Sequence, residues 1–336
     1  MAVNGPVAVL GCGSWGTALA IHVGRGGREV RLWGRDADLV ARMGARRCNE
    51  VYLPGVELPP SVQPTAALDG AVDRAAYVVA AVPSHGARPV LRRAAPHLGP
   101  DATVISAAKG IEDGTLLRMS EVIAEEVGDG RAVAVLSGPS FAAEVARGVP
   151  TAVVVAGRRV EAVAAVQHDF RSDRFRLYAS DDVVGVEIGG AMKNVIAIAA
   201  GGIESLGLGH NAVAALVTRG LAEISRLAYA LGGRRDTLAG LSGLGDLVLT
   251  CTGGLSRNRQ IGIELGKGRP LQDVLGRMRM VAEGVRTTQA ALDLGARHGV
   301  ELPITSQMAE VIAGRKTPRA AVEQLMLRRQ RSELDE

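Results

Sequence analysis

Through the first half of the chain, short runs rich in Val, Ile and Leu alternate with segments of helical character. Residues 7–10, 29–33, 77–82, 103–106 and 133–136 read as strands, and residues 17–23 and 116–127 read as helices between them. Pro83 stops the third run. Strands separated by helical stretches predict a parallel sheet with helical crossovers. The runs are almost continuously apolar, so both faces of the sheet should be covered. Two further β-like runs, 151–156 and 175–178, extend it. The expected fold class is α/β, with a doubly wound parallel sheet over residues 1–180.

After Ser180-Asp181-Asp182 the pattern changes. The apolar spacing now predicts helices over 184–200, 211–231, 259–266, 287–298, 303–312 and 319–329, punctuated by glycines. We expect an all-α C-terminal domain over 181–336. Ser180, Asp181 and Asp182 offer N-cap oxygens to its first helix. No fixed-period repeat or low-complexity segment is visible.

Length and charge narrow the function classes. A chain of 336 residues can hold two domains with substantial cores. The net charge of +4 is spread along the chain, so nucleic acid is not an expected partner. The basic cluster Arg328-Arg329-Gln330-Arg331 reads as a solvated helix end. Cys12, Cys48 and Cys251 are widely separated and form no CxxC pair. Neither a zinc or other metal site nor a disulfide framework is expected. That usage fits a reducing, cytoplasmic compartment. No uninterrupted apolar stretch reaches the ~18–20 residues of a bilayer span, so membrane insertion is not expected.

Gly11-Cys12-Gly13-Ser14-Trp15-Gly16 follows a strand and opens a helix. In that setting GxGxxG predicts a Rossmann-type dinucleotide site. Gly11 permits the tight turn, Gly13 lets backbone approach a diphosphate, and Gly16 allows close helix–strand packing. The helix N-terminus offers free N–H groups to the anion. The second strand ends in Leu32-Trp33-Gly34-Arg35-Asp36. Arg35 is the first charge after it, which favours NADP over NAD, and Asp36 next to it keeps NAD open.

Lysine is rare: four residues, Lys109, Lys193, Lys267 and Lys316, stand against 35 arginines. Arg stays charged at any working pH, whereas a buried Lys can exchange its proton. Lys193 lies in the apolar helical run 186–198, and Lys109 follows the 103–106 strand. Chance survival and a snorkelling Lys193 are the plain alternatives. Open α/β sheets bind ligands beyond the carboxyl ends of their strands. There the chain places Pro83-Ser84-His85, Ala107-Ala108-Lys109-Gly110 and Ser137-Gly138-Pro139-Ser140-Phe141. The serines also fit ordinary turn roles. Gly189 and Gly190 share Lys193's helix face and would leave a gap for a small ligand beside it. Ser256-Arg257-Asn258-Arg259 reads either as a plain capped helix or as an anion site with an Arg fork.

Five segments together resemble the NAD(P)-dependent glycerol-3-phosphate dehydrogenases of bacterial type. They are 11–19, 137–142, 189–197, Gly243-Leu244-Gly245-Asp246-Leu247 and 256–259, in the family's order and within a resemblance over roughly residues 7 to 320. The resemblance implies that Lys193 is the proton donor and acceptor. It implies a substrate pocket of Lys109, Gly138, Ser140, Lys193, Asp246, Ser256, Arg257 and Asn258. It implies cofactor contacts from Ser14, Trp15, Arg35, Tyr52, Lys109, Ala142, Arg257, Val281 and Glu283, beside the three glycines. The activity implied is reversible reduction of dihydroxyacetone phosphate to sn-glycerol 3-phosphate, in a homodimer supplying glycerophospholipid synthesis.

The implied chemistry is physically coherent. An unperturbed Lys titrates near ~10.4, too high for base work at neutral pH. Burial and a second cation, Lys109, would lower that value. Asp246 could orient the ammonium or bond a substrate hydroxyl. Two other readings stand beside this one. A two-domain β-hydroxyacid dehydrogenase shares the Lys-Asn pair, but the Ser256-Arg257-Asn258 segment favours a phosphate. A non-catalytic NADPH sensor would have no use for Lys109 and Lys193.

Overall fold

The computed structural model describes residues 5–128, 130–278, 282–330 and 332. Contacts divide it into two compact units. One comprises 1–109 and 117–183, the other 110–116 and 184–336. The crossing at 183/184 lies three residues beyond the boundary expected at 180. The excursion 110–116 has no counterpart in a single boundary.

Among the described residues, the first unit contains ten strands. They are β1 (Val7–Leu10), β2 (Val30–Trp33), β3 (Cys48–Asn49), β4 (Leu53–Glu57), β5 (Val62–Thr65), β6 (Tyr77–Ala80), β7 (Thr103–Ser106), β8 (Val133–Ser137), β9 (Thr151–Gly157) and β10 (Phe175–Ser180). Eight of them form one sheet in the order β10-β9-β8-β7-β6-β1-β2-β5. β1 pairs in parallel with β2 on one side and β6 on the other, so the strand order reverses there. β3 and β4 form a separate antiparallel ribbon. The sheet departs from the all-parallel expectation at one step, because β8 and β9 run antiparallel. β10 then pairs in parallel with β9.

Alternate residues of the central strands feed different cores, as the pleat requires. Val7 and Val9 pack with Leu19 and Ile21 of the Ser14–Arg25 helix. Ala8 and Leu10 pack with Leu91, Val122 and Ile123 on the opposite face. β1, β6 and β7 are buried along their whole length. This is why their sequence reads as continuous apolar runs.

In the helical unit, Val183–Ser205 is the central element and is buried from Gly185 through Ile198. It is long and apolar enough to cross a bilayer, yet 89% of its most apolar window is buried inside the protein. It is therefore a core helix. Around it stand Gly209–Ala230, Arg257–Gly266, Glu283–His298, Pro303–Ile312 and Pro318–Met326. Two glycines set one crossing. A Cβ at Gly201 would run into the Arg259 carbonyl, and one at Gly262 into the Ile198 carbonyl. The start of the Arg257–Gly266 helix is thus fixed against the helix that carries Lys193. Glu223 is buried and receives the N–H groups of Ile304 and Thr305, capping Pro303–Ile312 from a neighbouring helix. Ile111 and Leu116 of the 110–116 excursion join this unit's core. Asp113 pairs with Arg286 at 2.7 Å.

Candidate functional site

The glycine loop joins β1 to the Ser14–Arg25 helix at the point where strand order reverses. Gly11 has φ +115°, a conformation that L side chains rarely adopt. A Cβ at Gly16 would collide with the Gly11 carbonyl, whereas one at Gly13 would meet nothing within 4 Å. The helix N-cap is Gly13, with no side-chain cap. Gly13 has no side chain to cap the first N–H groups and leaves open space beside them. A dinucleotide diphosphate fits that cradle.

The β3–β4 ribbon closes on this loop. Ser14 Oγ donates to the Tyr52 carbonyl at 2.6 Å. Trp15, Tyr52 and Ala142 are half-buried on one core of the sheet, and Ala142 opens the Ala142–Arg147 helix. The Trp15 indole N–H is buried and has no hydrogen-bond partner among the described residues. At the end of β2, Arg35 is exposed. The Asp36 carboxylate accepts from Leu39 N at 3.0 Å and caps the Ala37–Arg46 helix. That carboxylate is committed to backbone, whereas Arg35 makes no hydrogen bond or ion pair among the described residues.

A second polar cluster lies beyond the carboxyl ends of β7 and β8. Lys109 Nζ donates to the Gly138 carbonyl at 2.8 Å and reaches Ser140 Oγ at 3.4 Å. Ser140 Oγ donates to the same carbonyl at 2.8 Å. Gly138 has φ +130°, and a Cβ there would press on Val153. Lys109, Gly138 and Ser140, separate in sequence, form one contact group.

Within the helical unit, the centre is an ion pair. Lys193 Nζ contacts Asp246 Oδ1, and their side chains are 8% and 1% exposed. Lys193 is therefore no snorkelling surface residue. Asp246 follows a π-helical turn, Leu241–Gly245, and begins the Asp246–Thr252 helix. The gap expected beside Lys193 at Gly189 is filled by protein. A Cβ there would lie 2.6 Å from the Ser242 carbonyl. Gly189 thus admits the turn that delivers Asp246. Cys251 is buried nearby, and desolvation pushes its thiol up to about 12, so it stays protonated and inert.

At the start of Arg257–Gly266, Ser256 is the N-cap and its Oγ accepts from Arg259 N at 3.2 Å. The Arg257 guanidinium is half-buried, with no hydrogen bond or ion pair among the described residues. Desolvation pushes it below its ordinary value, with Glu283 opposing. Asn258 uses both ends of its amide. Nδ2 donates to Asn194 Oδ1 at 2.9 Å, and Oδ1 accepts from Gly284 N at 3.2 Å. It thereby ties the helix of Lys193, the helix of Arg257 and the start of Glu283–His298 together. Glu283 is the first residue of that last helix. Val281 lies outside the described residues.

The cradle is the one the glycine motif predicted, and the Lys193–Asp246 contact is one of the two roles left open for Asp246. The NAD-dependent glycerol-3-phosphate dehydrogenase N-terminus matches residues 6–163, and the C-terminus of the same family matches 182–323. The chain belongs to this family. It is 55% identical to the glycerol-3-phosphate dehydrogenase [NAD(P)+] of Koribacter versatilis over 327 residues, 96% of this chain and 97% of that one. The Geobacter sulfurreducens protein of the same name is 51% identical, over 96% and 97% of the two chains. The crystal structure of the Coxiella burnetii glycerol-3-phosphate dehydrogenase superposes with a TM-score of 0.93 at 39% identity, covering 97% of this chain and 99% of that one.

Sequence reasoning about this dehydrogenase family member missed Asn49. Its side chain is wholly buried and hydrogen-bonded to the glycine loop. It lies in a stretch, Cys48-Asn49-Glu50-Val51-Tyr52, with too few β formers to announce a strand. The ribbon β3–β4 was missed for the same reason, and Pro54 and Gly55 inside β4 compound it.

Proposed function

We infer that the chain catalyses NAD(P)H-dependent reduction of dihydroxyacetone phosphate to sn-glycerol 3-phosphate, and the reverse. The observation that carries the reading is the buried Lys193–Asp246 pair in a chain of this family. When bound, the nicotinamide supplies a hydride to the ketone carbon, or accepts one from the alcohol. Gly11, Gly13, Ser14, Trp15, Gly16, Arg35, Tyr52 and Ala142 would hold the dinucleotide, with Lys109, Arg257, Val281 and Glu283 completing its surroundings.

Negative charge grows on the carbonyl oxygen as the ketone is reduced. Lys193 is the proton donor to that oxygen and takes the proton back in the reverse direction. Asp246 holds the ammonium in one place. The desolvated Arg257 gains most from a dianion, and with the helix start at Ser256–Asn258 it anchors the phosphate. Anchoring there supplies binding energy and orientation away from the reacting carbon. Lys109, Gly138 and Ser140 line the substrate side. Asp36's commitment to its cap and Arg35's exposure support NADP as the preferred cofactor. We extend the reading to a cytoplasmic homodimer that supplies glycerophospholipid synthesis.

The test is loss of NADPH or NADH absorbance on adding dihydroxyacetone phosphate to the purified chain. Turnover with either cofactor is expected, faster at low concentration with NADPH. Cofactor binding without turnover would turn the reading into that of a sensor. Sedimentation at micromolar concentration tests the dimer.

A further inference from the structure

We propose that Asn49 is a positioning residue for the dinucleotide: its buried amide sets the shape of the glycine loop and fixes Tyr52 against it. The inference rests on the cofactor reading above. Asn49 Nδ2 donates to the Cys12 carbonyl at 2.8 Å and to Thr17 Oγ1 at 2.8 Å. Its Oδ1 accepts from Tyr52 N at 3.1 Å. Both amide hydrogens and the oxygen are thus engaged by protein groups. Thr17 Oγ1 in turn faces the Cys12 carbonyl at 3.3 Å. The Tyr52 carbonyl is held separately by Ser14 Oγ. Tyr52 is therefore gripped at its N–H by Asn49 and at its C=O by the loop itself.

The choice of partners separates this from an ordinary satisfied core amide. Cys12 is the second residue of the glycine motif, Thr17 is the first residue after it, and Tyr52 packs on the same core as Trp15. All three contacts fall on the segments that make the cradle. Gly11 and Gly16 fix the loop where it meets β1 and the helix, whereas the space a Cβ would take at Gly13 is open. The Cys12 carbonyl, one residue before Gly13, is what Asn49 fastens. The backbone of β3 is also adapted to the task. Its pairing with β4 shifts register between Cys48 and Asn49. Irregularities of this kind re-aim a side chain and recur beside functional sites.

The grip acts on loop backbone that approaches the diphosphate common to both cofactors. Losing it should therefore weaken NADPH and NADH by the same factor, unlike a change at Arg35. The experiment measures NADPH and NADH binding without substrate, steady-state KM and kcat, and thermal midpoints. The variants are Asn49→Ala, Thr17→Val, which removes one of the two acceptors at the loop, and Leu58→Ala. Leu58 is buried in the same unit and has no bond to the loop, so it controls for stability. Asn49→Ala should weaken both cofactors at least tenfold, toward the ~10²-fold that a 1 Å misplacement costs. KM for dihydroxyacetone phosphate should stay within about twofold, as expected when the lost interaction concerns the other ligand. Thr17→Val should show a smaller loss of the same kind, and it carries the test should Asn49→Ala not fold. Unchanged cofactor binding in these variants overturns the proposal, as does an equal loss in Leu58→Ala at matched stability. If the unaltered chain binds neither cofactor, the cofactor reading itself fails and takes this one with it.

Discussion

The glycine loop of the first unit offers a ligand backbone. Its polar groups are N–H donors at a helix start, its shape comes from Gly11, Gly13 and Gly16, and no ion pair is built into it. The centre of the helical unit offers charged side chains instead. Lys193 and Asp246 are taken out of water together, and Arg257 is desolvated without a partner among the described residues. The difference follows from the tasks. A diphosphate must be held without being altered, and fixed dipoles do that at little cost in buried charge. A proton must be moved in the other task, which needs a titratable group held in place. Backbone sites should therefore fail through shape, and the charged site through loss of a partner.

The largest expected effect is at Lys193. Lys193→Met removes the proton donor, so kcat should fall by about 10²–10⁴-fold, the usual worth of general acid catalysis. NADPH should still bind, because the cradle lies in the other unit. The substitution also leaves Asp246 buried without its cation, so the double variant Lys193→Met with Asp246→Asn is the cleaner protein. Turnover within tenfold of the parent in either variant would remove Lys193 from the mechanism. Titration of NADPH fluorescence in the same preparations shows whether binding survives.

Breaking the pair from the other side should act on stability as well as on rate. Asp246→Ala removes the carboxylate from a buried ammonium, and removing one partner of such a pair typically costs about 3–5 kcal/mol. Replacing both residues by apolar side chains of similar volume should recover most of that loss while activity stays absent. Urea unfolding of the two variants, read as midpoints at constant slope, separates the outcomes. A destabilisation below about 1 kcal/mol in Asp246→Ala would mean that the ion pair has no energetic weight in the folded chain.

These two regions were unequally legible in the sequence. Each glycine of the loop has a local steric reason, so the strand–GxGxxG–helix order alone predicted the cradle. Lys193 was visible as a cation in an apolar helix, but its partner stands 53 positions away. The π-helical turn that delivers Asp246 leaves no periodic trace in the sequence. Gly189 was read as room for a ligand because a sequence does not say whether a neighbouring chain will fill a gap. The antiparallel β8–β9 step escaped notice because the apolar pattern of a buried strand is the same in either direction. The excursion 110–116 was hidden for a related reason. Only Ile111 and Leu116 carry it into the helical core, too few residues to show a period.

Within the loop, a pair of alanine substitutions separates shape from space. At Gly16 the new Cβ meets the Gly11 carbonyl, so Gly16→Ala should cost roughly 1–3 kcal/mol as overpacking and weaken both cofactors. At Gly13 the new Cβ meets nothing, and φ −68°, ψ −179° suits any residue. Gly13→Ala should change stability by no more than about 0.5 kcal/mol. Cofactor affinity should nonetheless fall, because the methyl stands where the loop backbone must approach the diphosphate. Thermal melts and NADPH titrations on both variants decide it. Unchanged NADPH affinity in Gly13→Ala would show that the loop does not hold the diphosphate.

The smallest effect sharpens the contrast from within the helix that the loop opens. His22 lies in Ser14–Arg25, with Nε2 at 2.6 Å from the Phe170 carbonyl and its ring 4.2 Å from that of Phe175. Burial pushes the imidazole below its ordinary value, the Phe170 carbonyl opposes this, and Arg25 adds to it. The unfolded chain takes up a proton at His22 near pH ~6.5, whereas the folded chain resists it. Stability from this group is therefore present above that pH and is lost as pH falls toward the lower, folded value. His22→Gln keeps an amide donor for Phe170 but does not titrate. Its urea midpoint should fall less between pH 7 and 5 than that of the parent, with cofactor affinity unchanged at pH 7.5. A parallel fall in both proteins would place the acid sensitivity elsewhere. At pH 7.5 both side chains are neutral, so a change in cofactor affinity would mean that packing on this helix reaches the loop.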